Sequence, residues 1–260
     1  MNLYIKLKLF QIFNHAMLVF GLYYVFTTHE WGWLYISGIF SLLFGTFGIG
    51  IGFHRLLSHQ SYKTNRFWEG LLSILGLHAT MGSSITWVGV HRLHHANSDK
   101  QLDPHSPYIG RGPGEELKFS WKLIFKGWFN FWNIDHFSPK YVVHMIRDPF
   151  HLFIHKHYYK ILLFTVVSLA AIDPLLAVFV YCIPACFTLH SVSFIIVVAH
   201  LHGYRTYNTR DASRNSWIAS IATMGDGWHN NHHNNPGKWT TQEKWWELDP
   251  MGWFIRLIKK

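Results

Sequence analysis

The run Trp33–His59, WLYISGIFSLLFGTFGIGIGFHRLLSH, decides the fold of this chain. From Trp33 to Phe53 it contains no Asp, Glu, Lys or Arg, and its length is near what a helix needs to cross the hydrocarbon core of a bilayer. It then ends directly in His54 and His59. An apolar span that delivers imidazoles at its end predicts an integral membrane protein with a metal site beside the membrane.

The rest of the chain extends this pattern. Leu9–Thr27 is a second uncharged run of span length. A further pair runs from about Ile161 to Ala171 and from Leu175 to about Leu201, broken at Asp173-Pro174. Its first member is short unless Lys160 and the Tyr158-Tyr159 pair reach the interface. The fold expected is all-α, with four transmembrane helices and a cytoplasmic helical cap. Phe67–Val90, interrupted only by Glu69, begins and ends on the same side. We read it as a helix or helical hairpin dipping into or lying on the bilayer surface, turning at Gly82-Ser83-Ser84.

Charge sets the orientation. The chain has 260 residues, a formal net charge of +9 and 49% hydrophobic residues, distributed in a way that excludes a soluble domain. All 23 Lys and Arg lie before the first span, between the second and third, or after the fourth. The loops around His29-Glu30 and Asp173-Pro174 have none, so both termini and the long middle segment are expected in the cytoplasm. The first apolar run lacks a small-residue cleavage pattern and is expected to stay in the mature protein. Cys182 and Cys186 read as small buried apolar residues. We read residues 1–260 as one domain, with Arg111–Gly114 a turn inside it.

Three histidine clusters follow apolar stretches: His54-Arg55-Leu56-Leu57-Ser58-His59, His91-Arg92-Leu93-His94-His95 and His229-Asn230-Asn231-His232-His233. Residues at i, i+3 and i+4 share a helix face, so the second and third clusters can each present three ligands to one point. Eight imidazoles exceed what one tetrahedral zinc takes, which argues for two metals or one crowded site. The donors suit Fe, Zn, Cu or Ni.

The spacings H-x4-H, H-x2-H-H and H-x2-H-H resemble the membrane fatty acid desaturase family, in its Δ9 acyl desaturase branch of bacterial type. The flanks carry the likeness further: Ser98-Asp99, Asp103-Pro104-His105-Ser106-Pro107, His200 ahead of Gly203-Tyr204-Arg205, and Gly227-Trp228-His229-Asn230. The resemblance implies two iron ions held by His54, His59, His91, His94, His95, His200, His229, His232 and His233. It also implies that O2 and two electrons insert a cis double bond, at Δ9, into a saturated acyl chain in unsaturated fatty acid biosynthesis. A fatty acyl substrate is implied, as acyl-lipid or acyl-CoA, with membrane lipid as surroundings. No His-Pro-Gly-Gly haem motif occurs, so a separate ferredoxin or cytochrome b5-like donor is expected, and no nucleic acid. Two departures stand out. Ile196 occupies the place of an Asn that reaches an iron through water in animal and many bacterial relatives. Gly89-Val90 replaces the Arg-Asp pair that precedes the second box in animal acyl-CoA members.

Other residues are read more plainly. Asp99, Asp103 and Asp226 are candidates to accept the second ring N–H of a ligand, or serve equally well as turn or cap residues. His105 is a candidate for the same outer layer. His202 points away from His200, either to the surface or behind the ligands. His78, His136, His144, His151, His155, His157 and His190 read as surface or interfacial. Lys118, Lys122, Lys126 and Lys140 suit lipid head groups, an acidic electron carrier or plain solvent. Gly38, Ser41, Gly45, Gly48 and Gly52 form a small-residue face for close helix packing, for lining an acyl tunnel, or for both. The competing functions are a histidine-box hydroxylase or oxidase of a lipid and a non-enzymatic membrane metal transporter.

Overall fold

A computed structural model describes residues 3–100, 102–104 and 137–260. The described residues form helices and no strands; the only sheet-like pairings among them are isolated bridges of Asn215 to Tyr204 and to Trp228. Helix α1 is Leu3–Thr28, and α2 runs from Gly32–Leu42 on through Leu43–Ser58. A hairpin follows, α3 (Arg66–His78) and α4 (Ser84–Asn97). Then come α5 (Val143–Ile146), α6 (Pro149–Lys156), α7 (Tyr158–Ile172) and α8 (Pro174–Leu201). Three short helices close the chain: α9 (Trp217–Ala222), α10 (His229–Asn234) and α11 (Pro250–Ile258).

Three helices, Ile5–Thr28, Gly32–Ser58 and Pro174–Leu201, are long and apolar enough to cross a membrane. Their exposed Leu, Phe, Val and Tyr side chains suit lipid rather than water. The third expected span is the 15-residue α7, which at 1.5 Å per residue reaches only about 22 Å. Asp173 ends that helix and caps the next by accepting from Leu175 N–H at 2.8 Å, so Asp173-Pro174 is a true break.

The second half of α2 is wound wider than an α-helix. From Leu43 to Ser58 it is a π-helix, and its last turn closes with His59 N–H donating to His54 O at 3.1 Å. This winding stacks residues five apart. A shorter π-wound segment, Ala177–Cys182, precedes Pro184 in α8, where the missing proline N–H frees a carbonyl of the preceding turn.

The α3–α4 hairpin turns through Thr80 (φ 55°) and Gly82 (φ 95°), so the turn includes Gly82 and Ser83 of the expected break while Ser84 already begins α4. Two polar residues buried in α1 hold that turn. Gln11 Nε2 donates to Thr80 O at 2.6 Å, and Asn14 Nδ2 reaches Thr80 Oγ1 at 3.5 Å. In lipid such groups must find partners within the protein. Helix α3 lies tight on α2: a Cβ at Gly48 would stand 2.3 Å from Gly76 N, and one at Gly52 3.0 Å from Leu72 Cβ. Gly48 and Gly52 therefore serve packing.

Candidate metal centre

Nine imidazoles meet where α2, α4, α8 and α10 end or cross. The π-winding of α2 turns His54 and His59 to one side, with ring centroids 5.0 Å apart. Helix α4 supplies His91, His94 and His95, α10 supplies His229, His232 and His233, and the last turn of α8 supplies His200.

They form two groups. His54, His59, His91, His95 and His232 have ligand atoms within 4.8 Å of one another, and so do His94, His200, His229 and His233. Each H-x-x-H-H box is therefore divided, contrary to the expectation that all three members share one point. His91 and His95 join the first group while His94 joins the second; His229 and His233 join the second while His232 joins the first. The reason is helical: i and i+4 point nearly together, whereas adjacent residues diverge by about 100°. Each box thus serves both groups.

Nitrogen spacings fit a shared ion. His59 Nε2 lies 2.7 Å from His91 Nε2, and His232 Nε2 lies 3.0 Å from His54 Nε2 and 3.1 Å from His95 Nε2. Two nitrogens each about 2.1 Å from one ion at right angles would be about 3 Å apart. In the second group, buried His229 Nδ1 and His233 Nε2 have no hydrogen-bond partner in the protein. A bare buried ring nitrogen is costly, and a metal would relieve that cost.

Carboxylates stand behind four of the rings. Nδ1 of His54 is 3.1 Å from Asp226, that of His94 is 2.8 Å from Asp103, that of His200 is 3.0 Å from Asp99, and that of His233 is 2.7 Å from Asp211. A proton held on Nδ1 leaves Nε2 with its lone pair toward the centre. Asp99, Asp103 and Asp226 were open between this role and capping, and the structure sets all three against imidazoles. Asp211 was not legible, since no spacing links it to a box.

Arg55, inside the first box, anchors the C-terminal segment to this layer. Its Nη2 donates to Asp226 Oδ1 and its Nη1 to Asp249 Oδ2, both at 2.8 Å, and Asp249 in turn caps α11. The two asparagines of the third box clamp α10. Asn230 Oδ1 accepts from Thr206 and Tyr207 N–H, while Asn231 Nδ2 donates to Glu247, which is fully buried. Asn215 Oδ1 accepts from both of their backbone N–H groups at 3.0 and 3.1 Å. Sequence reading gave these residues no role.

Electrostatics favours the neutral form of five of the rings. Burial, reinforced by neighbouring imidazoles, drives His59, His95, His229 and His232 well below the usual histidine value. Burial lowers His233 to about 4 despite the opposing pull of Asp211. For Asp226 and Asp211 burial acts upward, yet His54 and Arg55 at the first and the hydrogen bonds of His233, Ser213 and Thr209 at the second outweigh it and hold both carboxyls below their ordinary range. A neutral imidazole oriented by an ionised carboxylate, as in His233 beside Asp211, is what a transition-metal ion requires.

Residues 12–253 match the family model described as fatty acid desaturase. The chain belongs to the fatty acid desaturase family. It is 34% identical, over 88% of its own length and 79% of the relative's, to an sn-2 palmitoyl-lipid 9-desaturase of Nostoc sp. (strain 36). It is 30% identical to an sn-1 stearoyl-lipid 9-desaturase of Anabaena variabilis, covering 92% of this chain and 86% of that one. An acyl-CoA C20 Delta5-desaturase of Anemone leveillei is 28% identical over 94% and 78% of the two chains. The protein is thus an oxygen-dependent desaturase with fatty acyl chains as substrate and with histidine clusters able to hold metal.

In this desaturase a largely apolar cavity leads to the histidines. Its volume is about 240 Å³, and His54, His91, His94 and His229 close its inner end. Trp87 lines it and stacks on His91, centroids 4.8 Å apart and planes within 19°. Gly38, Ser41 and Gly45 also line it, so the small-residue face of α2 is shared between cavity and packing. Ile196 forms part of the same wall and supplies no donor; among the described residues the second histidine group keeps four imidazoles against five in the first.

The other histidines are scattered. His202 and His144 are exposed, whereas His78, His155, His157 and His190 are half-buried, His190 within 3.1 Å of His15. His151 corrects a surface expectation. It is 2% exposed, because it fills the junction of α6 with α3 and α4, bonded to Ser84 and Glu69. Lys140 lies exposed with its Nζ 5.1 Å from the Tyr141 ring centroid. His105, His136, Lys118, Lys122, Lys126 and the turn Arg111–Gly114 lie outside the described residues.

Proposed function

We propose that this chain is a Δ9 acyl desaturase with two irons. One is held by His54, His59, His91, His95 and His232, the other by His94, His200, His229 and His233. The convergence of nine imidazoles in two groups at the inner end of an apolar cavity carries this reading. The names of the Nostoc and Anabaena relatives support the 9-position and an acyl-lipid substrate. The Anemone relative keeps acyl-CoA as the alternative carrier. Iron is preferred to zinc because dehydrogenating an unactivated chain needs a metal with accessible redox states.

The overall change converts –CH2–CH2– to cis –CH=CH–, and the two hydrogens removed, with O2, two electrons and two protons, become two waters. The irons would supply O2 activation and electron storage. The protein's part is positional. The cavity walls, including Trp87 and Ile196, hold one pair of methylenes beside the histidines and keep water out. Asp99, Asp103, Asp211 and Asp226 fix the ring orientations. Two electrons come from a separate ferredoxin or cytochrome b5-like protein.

The wider architecture belongs to the same reading. Residues 1–260 form one domain with four spans, of which α7 is the short third. Both termini and the histidine boxes face the cytoplasm, as the placement of Lys and Arg supports. Expression in a host lacking Δ9 desaturation, with iron analysis of the purified protein, tests the proposal. Two irons per chain and a new cis-9 double bond are expected. A hydroxylated product would shift the reading to a lipid hydroxylase, and exchangeable zinc with vesicle transport to a transporter.

A further inference from the structure

The cavity is built differently at its two ends. Beside the histidines its lining is largely buried, Thr223 and Met251 included. Toward the first half of α2, the described walls are α2 (Gly38, Leu42, Gly45) and α8 (Phe187, Thr188, Ser191) alone. Two helices side by side cannot enclose a space, so among the described residues the third side stays open. The rim bears this out: Leu42 is 42% and Phe187 54% exposed, and a Cβ at Gly38 would meet nothing within 4 Å. The gap has fixed edges. Ser37 Oγ donates to Phe179 O at 2.7 Å beyond its outer end, and a Cβ at Gly45 would stand 3.5 Å from Thr188 Oγ1 on the inner wall.

Both helices are of span length, so the medium at this opening is hydrocarbon. We propose that the α2–α8 slot is the loading route for an acyl chain still esterified in a membrane lipid. This rests on the desaturase reading with an acyl-lipid substrate and adds the path. A chain sliding sideways never leaves an apolar surrounding, while its head group stays at the interface. A soluble thioester would need basic groups to hold its multiply charged carrier, and among the described residues the cavity lining includes no Lys or Arg.

The test uses the full-length, iron-loaded protein in phosphatidylcholine vesicles. A small thiol-linked fluorophore is placed on Gly45→Cys inside the slot, on Leu42→Cys at its rim and on Asn208→Cys at the polar surface. Gly45→Cys fits because its Cβ makes only ordinary contact, and the native Cys182 and Cys186 are fully buried. Phosphatidylcholine with a nitroxide on its acyl chain should quench positions 45 and 42 alike and leave 208 bright. A bright probe at 45 beside a dark one at 42 would show the slot closed to lipid and overturn the proposal. In a second arm, dithionite-reduced unlabelled protein is exposed to O2 with deuterated stearoyl chains, either in phosphatidylcholine or as stearoyl-CoA. A double bond formed in phosphatidylcholine is expected. Product from the thioester alone would overturn the lateral route and leave the desaturase reading standing, whereas no double bond in either pool or in expressing cells would remove the desaturase reading itself.

Discussion

Asp211 Oδ2 sits 2.7 Å from Nδ1 of His233, reaching a box histidine from a loop 22 residues earlier. The same carboxylate accepts from Ser213 and Thr209, so the loop is folded around the interaction. Asp211→Ala should lower metal affinity or turnover by about 10- to 100-fold, the usual cost of losing an outer carboxylate. Asp211→Asn, which keeps an acceptor, should lose less. Metal content by mass spectrometry beside product yield checks this; wild-type values for the alanine variant would detach Asp211 from the centre.

His200 and His202 separate a site position from its neighbour. His200 is buried against Asp99 and shares the second group, while His202 is exposed past the end of α8. His200→Ala should lose activity and about one iron per chain, and His202→Ala should keep most of both. The reverse pattern, read by iron analysis, would mean that the ninth ligand is misplaced.

The glycines of α2 should respond by location rather than by type. A methyl at Gly48 would run into the backbone of Gly76, so Gly48→Ala should destabilise by about 1–3 kcal/mol or more through overpacking. Gly38→Ala points into open space and should stay within about 0.5 kcal/mol of wild type. Melting temperatures in a mild detergent decide it, and equal losses at both positions would contradict the packing described.

Docking of α6 should weaken in strong acid. Arg66, bonded at 2.7 Å, holds the Asp148 carboxyl down to about 2, and the backbone N–H groups of Phe150 and His151 add to this. Its folded value lies below its unfolded one, so the contribution is complete above about pH 4 and is lost as pH falls through about 2. Asp148 is half-buried beside a largely exposed Arg66, so screening keeps the effect small and it is a local opening. Exchange protection of 149–156, taken relative to the intrinsic amide rate at each pH, should fall across that window and stay flat there in Asp148→Ala.

Much of this was legible from spacing. The uncharged runs gave three long helices, and the H-x-x-H-H repeats located two of the helices that carry the site. What stayed hidden depends on tertiary contact. Asp211, Asn215 and Glu247 meet the third box only because the chain from Tyr204 to Trp246 folds back over it. The division of each box between two groups was hidden for another reason. Helical geometry says that His94 and His95 diverge, but not that a second set of nitrogens waits on the other side.

The π-wound half of α2 makes the count of residues, beyond their identity, a determinant of the centre. Each residue removed from an α-helix swings everything after it by about 100°. Losing one residue between Leu43 and Phe53 could let the helix relax to ordinary winding with His54, Arg55 and His59 all still in the sequence. Their side chains would then face the wrong neighbours. Insertions and deletions in this stretch are therefore changes to the metal site, even where every histidine is retained.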